Sequence, residues 1–344
     1  MRVLLTGSAG FIGSAIDRRL TAAGDDVIRV DLMLPDAHGA AEAPEGTHRL
    51  DVRDAPAWTA LLRGVDAVCH QAALVGLGVR VADLPAYASH NDLGTAALLA
   101  AMHEAGVGRL VLASSMVVYG EGRYTCPDHG DQAPGIRTEE DLRSGRFENP
   151  CPVCGTPLGW ALVDEATALD PRSSYAASKV AQEHYAAAWA RQAGGSVVSL
   201  RYHNVYGPGM PRDTPYSGVA AMFRSAVERG ESPRVFEDGG QMRDFVQVED
   251  VARANVLALR SVVEAQPGRA TAYNVCSGRP VSIRDVARAV ASAGLEPTVT
   301  GEYRLGDVRH IVASPERART ELGFGAEVGP DDGLARFATD PLRA

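Results

Sequence analysis

Tyr175-Ala176-Ala177-Ser178-Lys179 sets a phenol and an ammonium four residues apart. On a helix that spacing puts both groups on one face. A cation beside a phenol lowers its pKa from about 10, which yields a proton donor and acceptor usable near neutral pH. Of the 34 Lys+Arg residues, Lys179 is the single lysine and the other 33 are arginine. A composition that uses arginine wherever a positive charge suffices has kept a lysine here. Lysine is a compact point charge with three rotatable donors, whereas arginine is a broad, permanently charged fork. A solvated surface pair would show the same spacing, but the lysine count and the glycine loop upstream argue against it.

Gly7-Ser8-Ala9-Gly10-Phe11-Ile12-Gly13 follows an apolar strand and opens a helix. The first glycine permits a tight turn, the second lets a pyrophosphate approach the backbone, and the third allows close helix–strand packing. The helix N-terminus offers free N–H groups to phosphates. A ligand-free turn is the alternative, and the strand–turn–helix context favours the dinucleotide. Phe11 and Ile12 belong to the same cofactor loop. Asp31 ends the second strand, 18 residues after Gly13. A carboxylate there accepts ribose hydroxyls and repels a 2′-phosphate, which favours NAD over NADP. Arg29 faces the other way in the alternating strand. Asp51-Val52 falls at the adenine end, although Asp51 could equally cap a turn or helix.

Cys126-Pro127-Asp128-His129-Gly130 and Cys151-Pro152-Val153-Cys154-Gly155 repeat one pattern. Together Cys126, His129, Cys151 and Cys154 supply a Cys₃His set with four ligands and no open position, as a structural zinc requires. The 21 residues between His129 and Cys151 are close to zinc-ribbon spacing. A disulfide, or His129 as an ordinary surface residue, are the alternatives. Five cysteines and no secretory leader point to a reducing cytoplasm rather than a disulfide scaffold. Cys69 and Cys276 read as buried core thiols, and His70 and His203 as packing residues.

The elements that must hold these groups alternate. Strands are expected at Val3–Thr6, Asp26–Val30, Gly46–Leu50, Ala67–His70, Arg109–Ala113 and Val197–Tyr202. Helices are expected at Gly10–Ala23, Ala55–Arg63, Ala86–Ala105 and Ser174–Ala193. Repeated βα units imply an α/β fold of Rossmann type, with a doubly wound parallel sheet that binds ligands at the strands' carboxyl ends. Residues 1–203 form the NAD-binding part, interrupted by the cysteine-rich insertion at 121–165. Residues 204–344 form mainly a smaller α/β substrate lobe, with 245–275 returning to the first part. The 344-residue chain carries a net charge of −9, which argues against a nucleic-acid partner. No apolar run of membrane-spanning length is present. Met1 to Gly7 read as a strand entering a turn, which leaves no room for a signal peptide.

In order along the chain, Gly7-x-x-Gly10-x-x-Gly13, Asp51-Val52, His70-Gln71-Ala72-Ala73, Asn91, Ser114-Ser115-x-x-Val118-Tyr119-Gly120, Tyr175-x-x-x-Lys179, Arg201-Tyr202-His203-Asn204 and Arg243-Asp244-Phe245-Val246 resemble the extended short-chain dehydrogenase/reductases. Within that family they are similar to the NAD-dependent nucleotide-sugar epimerase/dehydratase group. The resemblance implies a Ser115-Tyr175-Lys179 catalytic set and cofactor contacts from Ala72, Ala73, Asn91 and Tyr202. It further implies that Asn204, Arg243, Arg304 and Asp307 meet the substrate's diphosphate and nucleotide, and that the protein forms a homodimer. The family's dehydratases carry Asp-Glu after the catalytic Ser/Thr, and its decarboxylases a Glu. Here Met116 and Val117 stand there and cannot titrate, so hydride chemistry alone remains. Redox-neutral 4-epimerisation of a nucleotide sugar is therefore expected. A net 4-ketoreductase or dehydrogenase is the alternative, and a non-catalytic NAD-binding protein is a third reading. The common members lack the insertion, so its role does not follow from the family. Similar inserted cysteine pairs occur in members resembling the deoxysugar 4-epimerases.

Overall fold

Strand β1 (Arg2–Thr6) is buried on both faces, as a run of Val3, Leu4 and Leu5 demands. Successive side chains point to opposite sides. Leu4 meets one apolar cluster with Trp58, Leu98, Met102 and Trp189, while Val3 and Leu5 meet another with Ile16, Leu20, Val251 and Leu259. These are the two layers of helices. The computed structural model describes residues 1–343 except 40, 77, 79, 213–217, 292 and 293.

Around β1 lie β2 (Asp26–Asp31), β3 (Thr47–Arg49), β4 (Ala67–His70), β5 (Arg109–Ser115), β6 (Ser196–Tyr202) and β7 (Ala270–Val275). The sheet order is β7-β6-β5-β4-β1-β2-β3, with every pairing parallel. The order reverses between β1 and β4, and ligands bind where such a reversal opens a crevice. Helix α1 (Phe11–Ala22) leaves β1 on one face, and α2 (Gly94–Glu104) and α3 (Ser174–Ala193) cover the other. Helix α4 (Val248–Glu264) packs beside α1 and leads to β7, which adds the last strand from late in the chain.

The expected single helix from Ala86 to Ala105 is instead a short helix at Leu84–Tyr87, a wide π-turn at Ala88–Leu93, and α2. The extra residue of a π-turn re-aims side chains. Here it places the fully buried Asn91. Its Oδ1 accepts the Leu74 N–H at 2.7 Å, and its Nδ2 donates to the Leu74 carbonyl at 2.9 Å and to Ser178 at 2.8 Å.

A second core of Tyr206, Phe223, Phe245, Ile283 and Phe337 holds the smaller lobe. Its strand Asn204–Tyr206 runs parallel to Met242–Gln247, which pairs antiparallel with Pro280–Ser282. The insertion forms its own three-stranded antiparallel sheet, with Arg123–Cys126 between Gly130–Gln132 and Gly159–Ala161. Among the described residues no helix is long and apolar enough to cross a membrane.

Gly13 sits against the first turn so closely that a Cβ there would collide with the Gly7 carbonyl oxygen, whereas a Cβ at Gly10 would lie 3.2 Å from that atom. Gly13→Ala is therefore expected to destabilise the protein by about 1–3 kcal/mol, and Gly10→Ala by less. Thermal or denaturant unfolding of the two variants checks the order.

Candidate active site

A cavity of about 460 Å³ opens at the reversal point between β1 and β4. This lies within the usual range for small-molecule sites, about 300–1,000 Å³. One end is built by the glycine turn. Gly7 has φ +65°, and a Cβ on it would stand 2.8 Å from the Ala72 nitrogen. Gly10 caps α1 without a side-chain hydrogen bond, so the first-turn N–H groups have no side-chain acceptor there. Orphan donors in a cradle too narrow for side chains fit a pyrophosphate. Gly7, Gly10, Phe11, Ile12, Gly13, Asp51, Val52, Ala72 and Ala73 all line the cavity.

Asp31 Oδ2 accepts the Ala9 N–H at 3.0 Å, and Oδ1 accepts the Met33 N–H at 2.8 Å, with His38 Nε2 3.3 Å away. Burial would raise its pKa, but these partners hold it below the ordinary carboxylate value, so it stays anionic. Asp51 is gripped by Arg53, with Nη2 and Oδ2 2.5 Å apart. Arg29 pairs with Asp17 at 2.8 Å on the other side of β2. Sequence reasoning missed Arg343, which lines the same end and donates to the Ala9 carbonyl at 2.8 Å. No motif marks an arginine that arrives from more than three hundred residues away. Asn91 is not on the wall. It clamps the Leu74 backbone that is, so it positions the site rather than facing the cofactor.

At the other end Ser115, Met116, Tyr175, Lys179, His203 and Asn204 converge. Ser115 finishes β5, and its Oγ accepts the Val117 N–H at 3.4 Å. Lys179 is 3% exposed, donates to the Ala113 carbonyl at 3.0 Å, and holds its ammonium 5.9 Å from the centre of the Tyr175 ring. Burial lowers the Lys179 pKa to about 7, and Glu183 opposes the shift. Burial also raises Tyr175 above its ordinary value, while the neighbouring Ser115 hydroxyl pulls it back. The expected dominance of the lysine field over the phenol is thus absent. Desolvation penalises the charged form of both partners.

One turn beyond Lys179, Glu183 accepts Ser114 Oγ at 2.5 Å and Arg201 at 3.0 and 2.8 Å. Arg201 also donates to Tyr119, whose hydroxyl bonds Asn274, each at 2.8 Å. Glu183 carried no signal in the sequence, because it lies outside the Tyr-x-x-x-Lys unit. Tyr202 lines the cavity with its ring, but its hydroxyl reaches Gln71 at 3.1 Å and Asn255 at 3.0 Å. His70 behaves as a packing residue: its nitrogens meet Thr6 at 2.7 Å and Thr95 at 3.1 Å. Cys69 and Cys276 are fully buried, and burial pushes both thiols up.

Asn204 is on the wall, whereas Arg243, Arg304 and Asp307 are not. The Arg243 guanidinium donates to the carbonyls of Met242 at 2.9 Å, Arg309 at 2.9 Å and Val308 at 2.6 Å. Arg304 stacks on Phe236 with 4.9 Å to the ring centre. Burial raises Asp307, and the charges of Arg304, Arg243 and Arg137 oppose it. The three form one group beside the cavity, with Arg243 occupied by backbone carbonyls.

In the insertion, Cys126, His129, Cys151 and Cys154 bring their ligand atoms within 4.8 Å of one another. Cys126 Sγ lies 3.5 Å from His129 Nδ1 and 3.8 Å from Cys154 Sγ, and Cys151 Sγ lies 3.7 Å from His129 Nδ1. All five cysteines are free thiols. Ligands at about 2.3 Å around a tetrahedral zinc would be about 3.8 Å apart, so the donors fit that ion. The insertion is bolted to the rest of the chain through Arg309, which is 1% exposed. It binds Glu148 at 2.6 Å and Glu237 at 2.8 Å, while Arg137 of the insertion binds the other oxygen of Glu237 at 2.8 Å.

The NAD dependent epimerase/dehydratase family matches residues 3–156 and 151–276. This chain belongs to that family. It is 34% identical to a dTDP-L-rhamnose 4-epimerase of Burkholderia thailandensis, over 98% of this chain and 94% of the relative. It is 31% identical to a UDP-glucose 4-epimerase of Mycolicibacterium smegmatis, over 98% and 97% of the two chains. Among solved structures it is similar to the NAD complex of the Thermus thermophilus UDP-glucose 4-epimerase. There the TM-score is 0.75 with 32% identity, over 98% of each chain. As a member of the NAD dependent epimerase/dehydratase family the chain uses NAD.

Tyr175→Phe removes only the phenolic oxygen; if that oxygen transfers the proton, turnover is expected to fall by about 10²–10⁴ or more while NAD affinity by calorimetry stays nearly unchanged. Lys179→Arg is expected to fail as well. The planar guanidinium does not fit the buried slot under Ala113 that the ammonium fills.

Proposed function

We propose that this member of the epimerase/dehydratase family is an NAD-dependent nucleotide-sugar 4-epimerase. One observation carries the reading. Among the described residues lining the cavity, the carboxylates are Asp31 and Asp51, both at the cofactor end. Among the described residues, the cavity wall around Ser115, Tyr175 and Lys179 offers no carboxylate to drive an elimination, since Glu183 lies behind the wall, and Met116 occupies the wall where one would be needed. The relatives named as 4-epimerases support the same reaction class.

Ser115 donates a hydrogen bond to the C4 oxygen, and Tyr175 takes the C4 hydroxyl proton. Lys179, fixed on the Ala113 carbonyl, supplies the positive charge that stabilises the phenolate. Bound NAD supplies the hydride acceptor and donor. The 4-keto sugar turns over within the cavity, and Tyr175 returns its proton when hydride reaches the opposite face. Asn204 holds the substrate near its diphosphate. Arg243, Arg304 and Asp307 serve the diphosphate and nucleotide, which requires Arg243 to exchange its carbonyl partners for phosphate oxygens. A deoxysugar nucleotide such as dTDP-L-rhamnose is the favoured substrate, given the identity to that 4-epimerase.

We infer a structural zinc at Cys126, His129, Cys151 and Cys154, held in a closed set with no position for substrate. Its work is to stiffen the insertion that clamps residues 307–310 against the smaller lobe. Exposed Leu84, Leu93 and Tyr185 on the helices of one face support a homodimer formed there. Free thiols at all five cysteines support a reducing, cytoplasmic location.

Two outcomes follow. With a nucleotide sugar deuterated at C4, the epimerised product is expected to keep its label, with no net change in reduced-nicotinamide absorbance. Stoichiometric NADH consumption would instead mark a net ketoreductase. Elemental analysis of protein purified without chelator is expected to give one zinc per chain. Cys151→Ser is expected to lower the thermal midpoint while NAD remains bound.

A further inference from the structure

His203 reads in the sequence as a packing residue, yet it packs without satisfying itself. It is 3% exposed and lines the cavity, and among the described residues neither ring nitrogen makes a hydrogen bond of good geometry, although the Asn274 side chain approaches. Leaving such a group unpaired costs stability, so a buried orphan donor and acceptor on a cavity wall calls for a ligand. His70, the other histidine that follows a strand here, shows the contrast: both of its nitrogens are taken by threonine hydroxyls.

The position of the ring follows from the chain. Tyr202 sends its hydroxyl to Gln71 and Asn255. Side chains alternate along extended chain, so His203 faces the opposite side. Its own N–H donates to the Val275 carbonyl at 3.0 Å, which fixes the backbone. Two polar groups act on the ring: the charge of Arg243, and the side chain of Asn274, which approaches it as a weak hydrogen-bond partner. Asn274 lies on β7, four strands along the sheet from β1 and its glycine turn. The Asn274 amide is already engaged by Tyr119, Val163 and Ser314. The ring therefore belongs to the substrate end of the cavity.

Its chemistry narrows the ligand. Burial, aided by Arg243, lowers the imidazole pKa to about 3, so the ring is neutral in working conditions. A neutral imidazole offers one donor and one acceptor. A phosphate oxygen has no hydrogen to give to the acceptor nitrogen of the ring, whereas a sugar hydroxyl both gives and accepts one.

We propose that His203 is a specificity-determining residue that hydrogen-bonds a hydroxyl of the substrate's sugar. This rests on the nucleotide-sugar reading above. His203 thereby distinguishes hexoses that carry a hydroxyl at that point from those that lack it.

The test uses the NAD-loaded protein, with dTDP-L-rhamnose and UDP-glucose as sugar nucleotides and dTDP and UDP as sugar-free controls. His203→Phe keeps a ring of similar size and removes both hydrogen-bonding nitrogens. Affinity for the sugar nucleotide that the wild type binds is expected to weaken about tenfold to a hundredfold, and KM to rise more than kcat falls. Affinity for dTDP or UDP and retention of NAD should not change. The thermal midpoint should hold or rise, because an unpaired buried group has been removed. His203→Gln should recover part of the lost affinity.

Equal weakening of dTDP or UDP would place the imidazole on the phosphates and overturn the proposal. So would loss of NAD, or a lowered thermal midpoint with unchanged sugar-nucleotide affinity, the mark of a packing role. A wild type that binds neither the sugar nucleotides nor the diphosphates would overturn the substrate reading itself, before any variant is measured.

Discussion

A single carboxylate, Glu183, ties together the elements that carry the candidate site. It lies on α3 one turn after Lys179 and two turns after Tyr175. It takes the hydroxyl of Ser114, next to Ser115 on β5, and both arms of Arg201 on β6. The strand that carries Ser115, the helix that carries Tyr175 and Lys179, and the strand that leads to His203 and Asn204 are thus joined at one buried point. Breaking a buried pair of this kind by removing one partner typically costs about 3–5 kcal/mol. The stronger consequence is geometric. Hydride transfer and proton transfer need their groups aligned to within a fraction of an ångström, and Glu183 holds three elements in register without touching the cavity.

The cavity then divides by how its groups are paired. At the cofactor end every charge has a partner: Asp31 with Ala9, Met33 and His38, Asp51 with Arg53, Arg343 with the Ala9 carbonyl. At the reacting end burial dominates, which keeps the phenol of Tyr175 protonated and lowers Lys179. Such groups are poised to respond to a ligand, because new charge or exclusion of water changes the balance between their forms. Unpaired atoms at His203 and Asn204 belong to the same end. A site that leaves polar atoms unsatisfied until substrate arrives gives up some stability for discrimination.

The insertion acts on the opposite bank. Arg137 and Arg309 share Glu237, and Glu148 joins Arg309 to His310 at 2.6 and 2.8 Å. Burial would raise Glu148, yet the His310 and Arg309 bonds hold its pKa at about 2, so the carboxylate stays charged across the working pH range, while burial lowers the His310 pKa. The carbonyls of Val308 and Arg309, in the segment held this way, occupy Arg243 together with the Met242 carbonyl. The segment that carries the cysteine cluster thus also carries Arg137 and Glu148, which belong to a charged lattice that ends at Arg243.

The sequence alone determined whatever depends on short spacing. Gly7, Gly10 and Gly13 define a turn whose contacts lie within a dozen residues, and Tyr175 and Lys179 share a helix face because four residues make about one turn. The two cysteine knuckles each carry their own turn, and the lone lysine marked its own position by composition. The parallel sheet was legible from alternating βα units, as was the absence of an eliminating acid at Met116 and Val117. Tertiary structure decided what depends on distant partners. The π-turn at Asn91 exists because its amide must reach Leu74, so a continuous helical pattern hid the break. Arg343 meets Ala9 from the far end of the chain, and Arg243 is held by carbonyls near residue 309. His203 and His70 look alike in sequence, since each follows an apolar strand. They differ only because threonines from other elements bond one ring and leave the other unpaired, and a hydrogen bond between distant residues leaves no periodicity to read.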